Sequence, residues 1–292
     1  MQKISAILPV YNEEKYITKC LESLSNQTVK PQEIIVIDDG STDNTSSIIS
    51  NFQFSRLALA SIRRSGAKRA IFNFQFIRQK HQGPAVARNL GAKKAKGDIL
   101  VFLDADMTYD RNFLKEITGP IIKGVEIATF TKREYVKNID NVWAKFWDDV
   151  TFSNLGRRVA KELGERGTTF RAILASEFFR VGGYDSYGSS DDRSVLAKLR
   201  KSSKNVPSAM YYHYNPSSLS EVFFSARWMG RNTNNRGKFL QFAIFFPPWS
   251  ILKAVVGSVS KRNASFFPFR LIFDFGYFIG LVNIHITGKH YK

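Results

Sequence analysis

Cysteine is almost absent: the 292-residue chain carries one, Cys20. A single thiol excludes a disulfide framework and any cysteine-rich zinc site, and it fits a reducing compartment. Acidic residues are scarce too, 25 Asp plus Glu against 43 Lys plus Arg, which leaves a formal net charge of +18. That surplus points to an anionic partner, whether nucleic acid, an acidic membrane surface or a phosphorylated substrate. Long apolar runs are missing. The longest uncharged stretches toward the C-terminus, 239–252 and 275–288, are 14 residues each. A spanning helix needs about 18 or more, so no conventional transmembrane helix is expected. No cleavable signal pattern precedes the first apolar segment, and the expectation is a cytoplasmic protein. A hydrophobic share of 43% excludes wholesale disorder, and the length allows one large domain or two moderate ones.

What is present, in the first half, is alternation. Residues 4–10 (Ile-Ser-Ala-Ile-Leu-Pro-Val) read as a short buried strand, with Asn12 as the N-cap of a helix to about Leu24 and Glu13 and Glu14 in its first turn. After Pro31, residues 33–38 are a second apolar strand, and 39–45 a turn capping a helix over 45–54. A third strand is predicted at 72–78, a helix at 84–95 with Pro84 in its first turn, and a fourth strand at 99–103 that stops at Asp104. Strands separated by helices imply an α/β fold with a mostly parallel central sheet and helices on both faces. Ligands of such sheets bind beyond the carboxyl ends of the strands.

Three strand ends carry polar residues: Tyr11-Asn12-Glu13, Asp38-Asp39 and Asp104-Ala105-Asp106. Any one alone reads as a helix cap or a turn. Together they suggest more. In an extended stretch side chains at i and i+2 point the same way, so Asp104 and Asp106 could face one cation. Mg²⁺ and Mn²⁺ take carboxylate oxygens and are completed by substrate phosphates.

Residues 6–14 (Ala-Ile-Leu-Pro-Val-Tyr-Asn-Glu-Glu), 35–43 (Ile-Val-Ile-Asp-Asp-Gly-Ser-Thr-Asp), 83–89 (Gly-Pro-Ala-Val-Ala-Arg-Asn) and 102–106 (Phe-Leu-Asp-Ala-Asp) resemble the motif series of family 2 glycosyltransferases. The resemblance is close over residues 3–107 and looser over about 168–231. It implies a GT-A fold and an inverting enzyme that uses a nucleotide-activated sugar and Mn²⁺ or Mg²⁺. By that resemblance Pro9, Val10, Tyr11, Glu13, Asp39, Gly83, Arg88, Asp104 and Ala105 line the nucleotide pocket, with Asp39 accepting a hydrogen bond from the base. Asp106, with Asp104, holds the metal. Gly182-Gly183-Tyr184-Asp185 and the acidic pair Asp191-Asp192 resemble the family's acceptor-side stretch, which makes Asp192 the general base with Asp191 beside it. The competing reading makes either one the N-cap of the following helix. Arg171, Ala172, Gly183 and Tyr184 are expected to line the acceptor.

His213 lies among tyrosines downstream of that pair. The plain reading is a packed core histidine. The resemblance makes it a metal ligand with Asp106 and Asp104, since neutral imidazole suits Mn²⁺.

The positive charge is uneven. Residues 51–82 hold Arg56, Arg63, Arg64, Lys68, Arg69, Arg78 and Lys80 with no acid, and from residue 210 on there are 10 Lys plus Arg against Glu221 and Asp274. Trp228, Trp249, Phe245-Phe246 and Phe266-Phe267 lie among those cations, a pattern that suits an in-plane anchor on anionic lipid. Core packing of a helical subdomain is the alternative. The expected organisation is a GT-A domain over 1–235, its nucleotide half 1–107 and acceptor half 108–235, followed by a membrane-associating segment over 236–292. The expected partners are a nucleotide-sugar donor (UDP first, GDP open), a hydroxyl acceptor that is a glycan or lipid-linked, and the cytoplasmic face of a membrane. A nucleic-acid-binding reading is disfavoured, because Asp39, Asp104 and Asp106 would repel a phosphate backbone and no recognition motif is present.

Overall fold

The computed structural model describes residues 2–52, 73–151, 164–185, 191–231 and 247–287, with Asp191 and Asp192 described by their backbone alone. Much of the acid-free basic stretch and residues 232–246 and 288–292 of the tail lie outside the described residues. The chain forms two compact units, one of residues 1–135 with 159–213 and one of 136–158 with 214–292. Residues 214–235, expected in the acceptor half, fall with the second unit, which also takes in 136–158 from the middle of the chain.

The first unit is built on β1 (Ile4–Val10), β2 (Glu33–Asp38), β3 (Asn73–Arg78) and β4 (Ile99–Phe102). Between them run α1 (Ile17–Ser25), α2 (45–52) and α3 (Pro84–Lys94). β1 pairs in parallel with both β2 and β4, and β2 with β3. Every residue of β2 and β4 is buried, which is why these strands read as unbroken apolar runs rather than alternating ones. After β4 the chain makes β5 (Met107–Tyr109), α4 (Phe113–Ile122), β6 (Ala128–Phe130) and β7 (Glu134–Val136). It then contributes β8 (Arg166–Gly167), β9 (Ala172–Leu174), α6 (Ala175–Arg180), α7 (Asp191–Leu199), β10 (Ser203–Asn205) and β11 (Tyr211–His213). The large sheet has the order β3-β2-β1-β4-β9-β6-β10-β8, and β5-β11-β7 form a second, three-stranded sheet. The strand order reverses between β1 and β4, so the crevice beyond their carboxyl ends is where such a sheet binds ligands.

The chain leaves β1 differently from the expectation. Asn12 does not cap α1. It adopts φ 55, and its Oδ1 accepts the Thr42 amide at 2.8 Å while its own amide donates to Ser41 Oγ at 3.0 Å. An Asn tolerates this left-handed conformation better than most side chains. Helix α1 therefore starts four residues later than Glu13, which is left facing the crevice.

The second unit is helical: α5 (Val142–Thr151), α8 (Leu219–Arg231), α9 (Pro247–Ser260) and α10 (Phe266–Thr287). Its core gathers Phe146, Trp147, Val222, Ala226, Phe266, Phe269 and Phe273, so part of the tail's aromatic content is ordinary core. α10 runs 22 residues, and its stretch Phe266–Asn283 is long and apolar enough to cross a bilayer by length and composition. The expectation that no such helix exists fails because it counted uncharged runs. Arg270 and Asp274, one helical turn apart, neutralise each other at 2.9 Å and do not end the helix.

Candidate active site

Asp39 follows β2 and is 3% exposed. Its Oδ1 accepts the Gln79 side-chain amide at 2.6 Å and the Gln82 backbone amide at 2.9 Å, and its Oδ2 accepts the Gly83 amide at 2.8 Å. His81 Nδ1 lies 2.8 Å from the same Oδ2. Both oxygens are thus committed to the 79–83 loop, and Asp39, expected to meet the base, shapes the loop that borders the pocket. Gly83 opens α3 at φ 94, a conformation that a side chain would resist. Gly40, at φ 83, could not accept a Cβ, which would lie 2.8 Å from the His81 amide nitrogen. His81 stacks on Tyr11, ring centroids 4.2 Å apart at 22°, and Tyr11 is 43% exposed. The sequence reading missed His81. Its signal was a place directly before Gln82-Gly83-Pro84, in a chain with four histidines. Pro9 is half-buried, whereas Val10 and Ala105 are buried, so only the backbone of the latter two can touch a ligand.

Asp104 and Asp106 do not share one face. Residues 105–106 form a turn between β4 and β5, and the alternation of an extended chain no longer applies. Asp104 Oδ1 accepts from Arg88 Nη2 at 3.2 Å, and its Oδ2 pairs closely with Arg171 Nη1. Burial pushes its carboxyl up, but Arg171 and Arg88 overrule that and hold it far below the usual carboxylate range. Its backbone is pinned as well, its amide donating to the Tyr109 hydroxyl at 2.8 Å and its carbonyl accepting from that hydroxyl at 3.1 Å. Asp104, expected at the nucleotide and the metal, is the centre of a two-arginine clamp.

Asp106 turns to His213, Oδ2 to Nε2 at 2.8 Å. The pairing of β11 with β5 sets His213 opposite Met107, which explains how a residue 107 positions away arrives there. The ring's Nδ1 is buried without a hydrogen-bond partner, so Asp106 is the group that orients the ring. Glu13 faces the same place. Its carboxyl is pushed well above the usual range, first by burial and then by the charges of Asp106 and Asp104. Among the described residues no three His, Cys, Asp or Glu side chains form a closed metal cage. A carboxylate and an imidazole on one side, with repelled carboxylates around them, nonetheless fit a hard divalent ion that keeps positions for phosphate oxygens.

Beside the clamp is a cavity of about 190 Å³ lined by Arg88, Lys132, Thr169, Arg171 and Tyr184 among others. Tyr184 stacks on Phe170, centroids 5.6 Å apart at 7°. Asn89 holds Tyr184 from both sides, its Nδ2 donating to the Tyr184 carbonyl at 2.8 Å and its Oδ1 accepting the Tyr184 amide at 2.9 Å. A Cβ on Gly183 would lie 2.5 Å from that Oδ1. Asn89 closes the Ala-Arg-Asn motif, and nothing local in the sequence marks its hold on a turn 95 residues away. Ala172, expected at the acceptor, is fully buried in the sheet opposite Val101 and Thr129 and cannot touch a ligand. Asp191 and Asp192 open α7, whose Val195, Leu196 and Leu199 are buried as expected. Their side chains lie outside the described residues.

The sequence model of Glycosyl transferase family 2 matches residues 5–179. The chain belongs to this family. The glycosyltransferase GlyA of Streptococcus pneumoniae is 31% identical over 245 residues, covering 78% of this chain and 32% of that protein. The family 2 chain spans only 14–37% of the first curated relatives it matches. Among solved structures it is similar to S. aureus TarS 1–349 in complex with UDP-GlcNAc, TM-score 0.53 at 17% identity over 99% of this chain and 93% of that one. It is also similar to the mannosyltransferase PcManGT of Pyrobaculum calidifontis in complex with GDP-Man and Mn²⁺, TM-score 0.55 at 16% identity over 99% and 88%. The fold is GT-A.

Proposed function

We propose that this glycosyltransferase moves a sugar from a UDP-sugar to a hydroxyl of a glycan or lipid-linked acceptor, by single displacement with inversion. The observation that carries the reading is the Asp106–His213 pair beside the arginine-clamped Asp104 at the carboxyl ends of β1 and β4. The TarS complex supports UDP, and the PcManGT complex supports Mn²⁺ and keeps GDP as the alternative donor. In this reading Asp106 and His213 hold Mn²⁺ or Mg²⁺. When bound, the ion supplies Lewis-acid stabilisation to the departing diphosphate. The stacked Tyr11 and His81 offer a flat, exposed face for the base, and Arg88 and Arg171 bring positive charge near the diphosphate. The cavity at Tyr184 is smaller than the ~300 Å³ of a typical small-molecule pocket, a size that suits a single sugar ring.

Asp192 takes the acceptor proton as the hydroxyl oxygen attacks the anomeric carbon from the side opposite the diphosphate. The bond to the diphosphate breaks as the new glycosidic bond forms, and the configuration inverts. Its place in the first turn of α7 supports this role, since the helix dipole keeps a carboxylate ionised there. Asp191 orients the acceptor. In this reading the reaction runs on the cytoplasmic face of a membrane. A donor-hydrolysis screen over UDP- and GDP-sugars with Mn²⁺ or Mg²⁺ tests the reading: turnover of a UDP-sugar is expected, turnover of GDP-sugars alone moves the donor to the alternative, and hydrolysis of neither overturns the assignment.

A further inference from the structure

Ten of the 14 large hydrophobic side chains exposed among the described residues belong to the helical unit, so the exposure is concentrated, not scattered. Six are on α9: Trp249 (58%), Ile251 (51%), Leu252 (50%), Val255 (47%), Val256 (58%) and Val259 (73%). At about 100° per residue they form one continuous arc of roughly 160°. The opposite side of α9 carries small residues. Ser250 and Ala254 are buried, and Gly257 packs so closely on Phe266 that a Cβ would lie 2.1 Å from the ring. The helix is inside out: a helix facing water turns its bulky apolar stripe inward and its polar side outward.

The rest of the unit is built for apolar surroundings as well. α8 and α10 meet backbone to backbone, because Ala226 and Gly230 on one and Gly276 and Gly280 on the other leave no side chain between them. A Cβ on Gly280 would lie 2.2 Å from the Arg227 carbonyl oxygen, and one on Gly230 2.2 Å from that of Tyr277. Small residues four apart on both partners are how helices pack when water does not press them together. The buried Asp274 is held by Arg270 at 2.9 Å and Lys253 at 2.7 Å, so its charge is neutralised inside the unit. α9 carries no acid and is followed by the cations Lys261, which pairs with Asp149 at 2.6 Å, and the exposed Arg262.

We propose that the outward arc of α9 inserts into an anionic phospholipid surface, the helix lying in the membrane plane with Lys261 and Arg262 at the level of the headgroups. Charge selects lipid over a second copy of the chain: α9 has no acid to meet Arg262, and a second copy would bring the same cation to the same face. This docking surface is independent of the donor chemistry and goes beyond it.

The test is cosedimentation of the full chain with vesicles of phosphatidylcholine containing phosphatidylglycerol, against phosphatidylcholine alone. Wild type is expected to pellet with the anionic vesicles and to be released by added salt. The double variant V256D/V259D should lower the partition at least ~10-fold, while Val125→Asp, equally exposed in the other unit (69%), should leave it unchanged. Brominated phospholipid in the same vesicles should quench the tryptophan fluorescence of the wild type, a readout that does not depend on any variant folding. Wild type that stays in the supernatant without quenching, or V256D/V259D that pellets like wild type, overturns the proposal. A wild-type dimer that V256D/V259D turns into a monomer, with no vesicle binding by either, assigns the face to a second copy and overturns it too.

Discussion

Replacing Arg171 with Met tests the clamp on Asp104. Met removes the charge at comparable length and leaves Asp104 against Arg88 alone. The side chains of Asp104, Arg88 and Arg171 are 25%, 12% and 20% exposed, so solvent screens them only in part. With an effective dielectric of ~20, two unit charges at the 3.2 Å of the Arg88 arm attract by about 5 kcal/mol. The Arg171 contact is closer. Desolvation offsets part of this, and breaking a buried pair from one side costs about 3–5 kcal/mol. We expect about 3 kcal/mol for Arg171→Met, which at ~2–4 °C per kcal/mol for a unit of this size lowers Tm by about 6–12 °C.

Calorimetry at neutral pH reads that shift, and a double-mutant cycle separates the pair from its surroundings. Asp104→Asn alone leaves two guanidiniums facing each other without a counter-charge and should also destabilise. Combining it with Arg171→Met should cost less than the two single losses together, by about 1–3 kcal/mol of coupling. Additive losses, or an Arg171→Met melt within about 2 °C of wild type, would refute the clamp as a stabilising element.

Three further outcomes follow from packing and from the proposed chemistry. Gly280→Leu forces α8 and α10 apart against backbone atoms and should cost at least about 1–3 kcal/mol, seen as an early melt; an unchanged melt would contradict the backbone-to-backbone crossing. Asn89→Ala removes both hydrogen bonds to Tyr184, about 2 kcal/mol in all, and should raise KM for the acceptor through a loosened 182–185 turn; unchanged kinetics and stability would show that the turn holds without it. Asp192→Asn should abolish transfer, by at least ~100-fold, with nucleotide binding kept, while Asp191→Asn is milder; the reverse order of severity would move the base to Asp191.

The apolar runs of β1, β2 and β4 were legible because those strands are buried on both faces, where periodicity reduces to plain hydrophobicity. The strand-end acids were legible as a group because a parallel sheet gathers its carboxyl ends. What the sequence did not reveal depends on contacts distant in the chain. β9 pairs antiparallel with both β4 and β6, and this buries Ala172 beyond a ligand's reach. The split between Asp104 and Asp106 needs Arg171 and His213, which arrive 67 and 107 residues later. Asn12 looked like a cap because Asn favours caps, and the same short amide favours a positive φ. α10 was divided on paper by Arg270 and Asp274, whose charges cancel only once the helix has formed.

Charge balance at the crevice leads to the last prediction. Glu13, Asp104 and Asp106 bring three carboxyls, and Arg88 and Arg171 two permanent positive charges. The raised carboxyl of Glu13, caused after burial by Asp106 and Asp104, shows that these groups repel one another. A crevice where carboxyls crowd in this way should hold a nucleoside diphosphate poorly, and a divalent cation beside Asp106 and His213 should offset the negative field the diphosphate meets. UDP binding measured by calorimetry should therefore strengthen at least ~10-fold when Mn²⁺ or Mg²⁺ replaces chelator. Asp106→Asn should behave oppositely to a simple loss of function: with one repelling charge gone, its chelator-treated form should bind UDP at least as well as chelator-treated wild type, and it should gain little from the cation. Equal UDP affinity of wild type with and without the ion would show that the two arginines already outweigh the carboxyls.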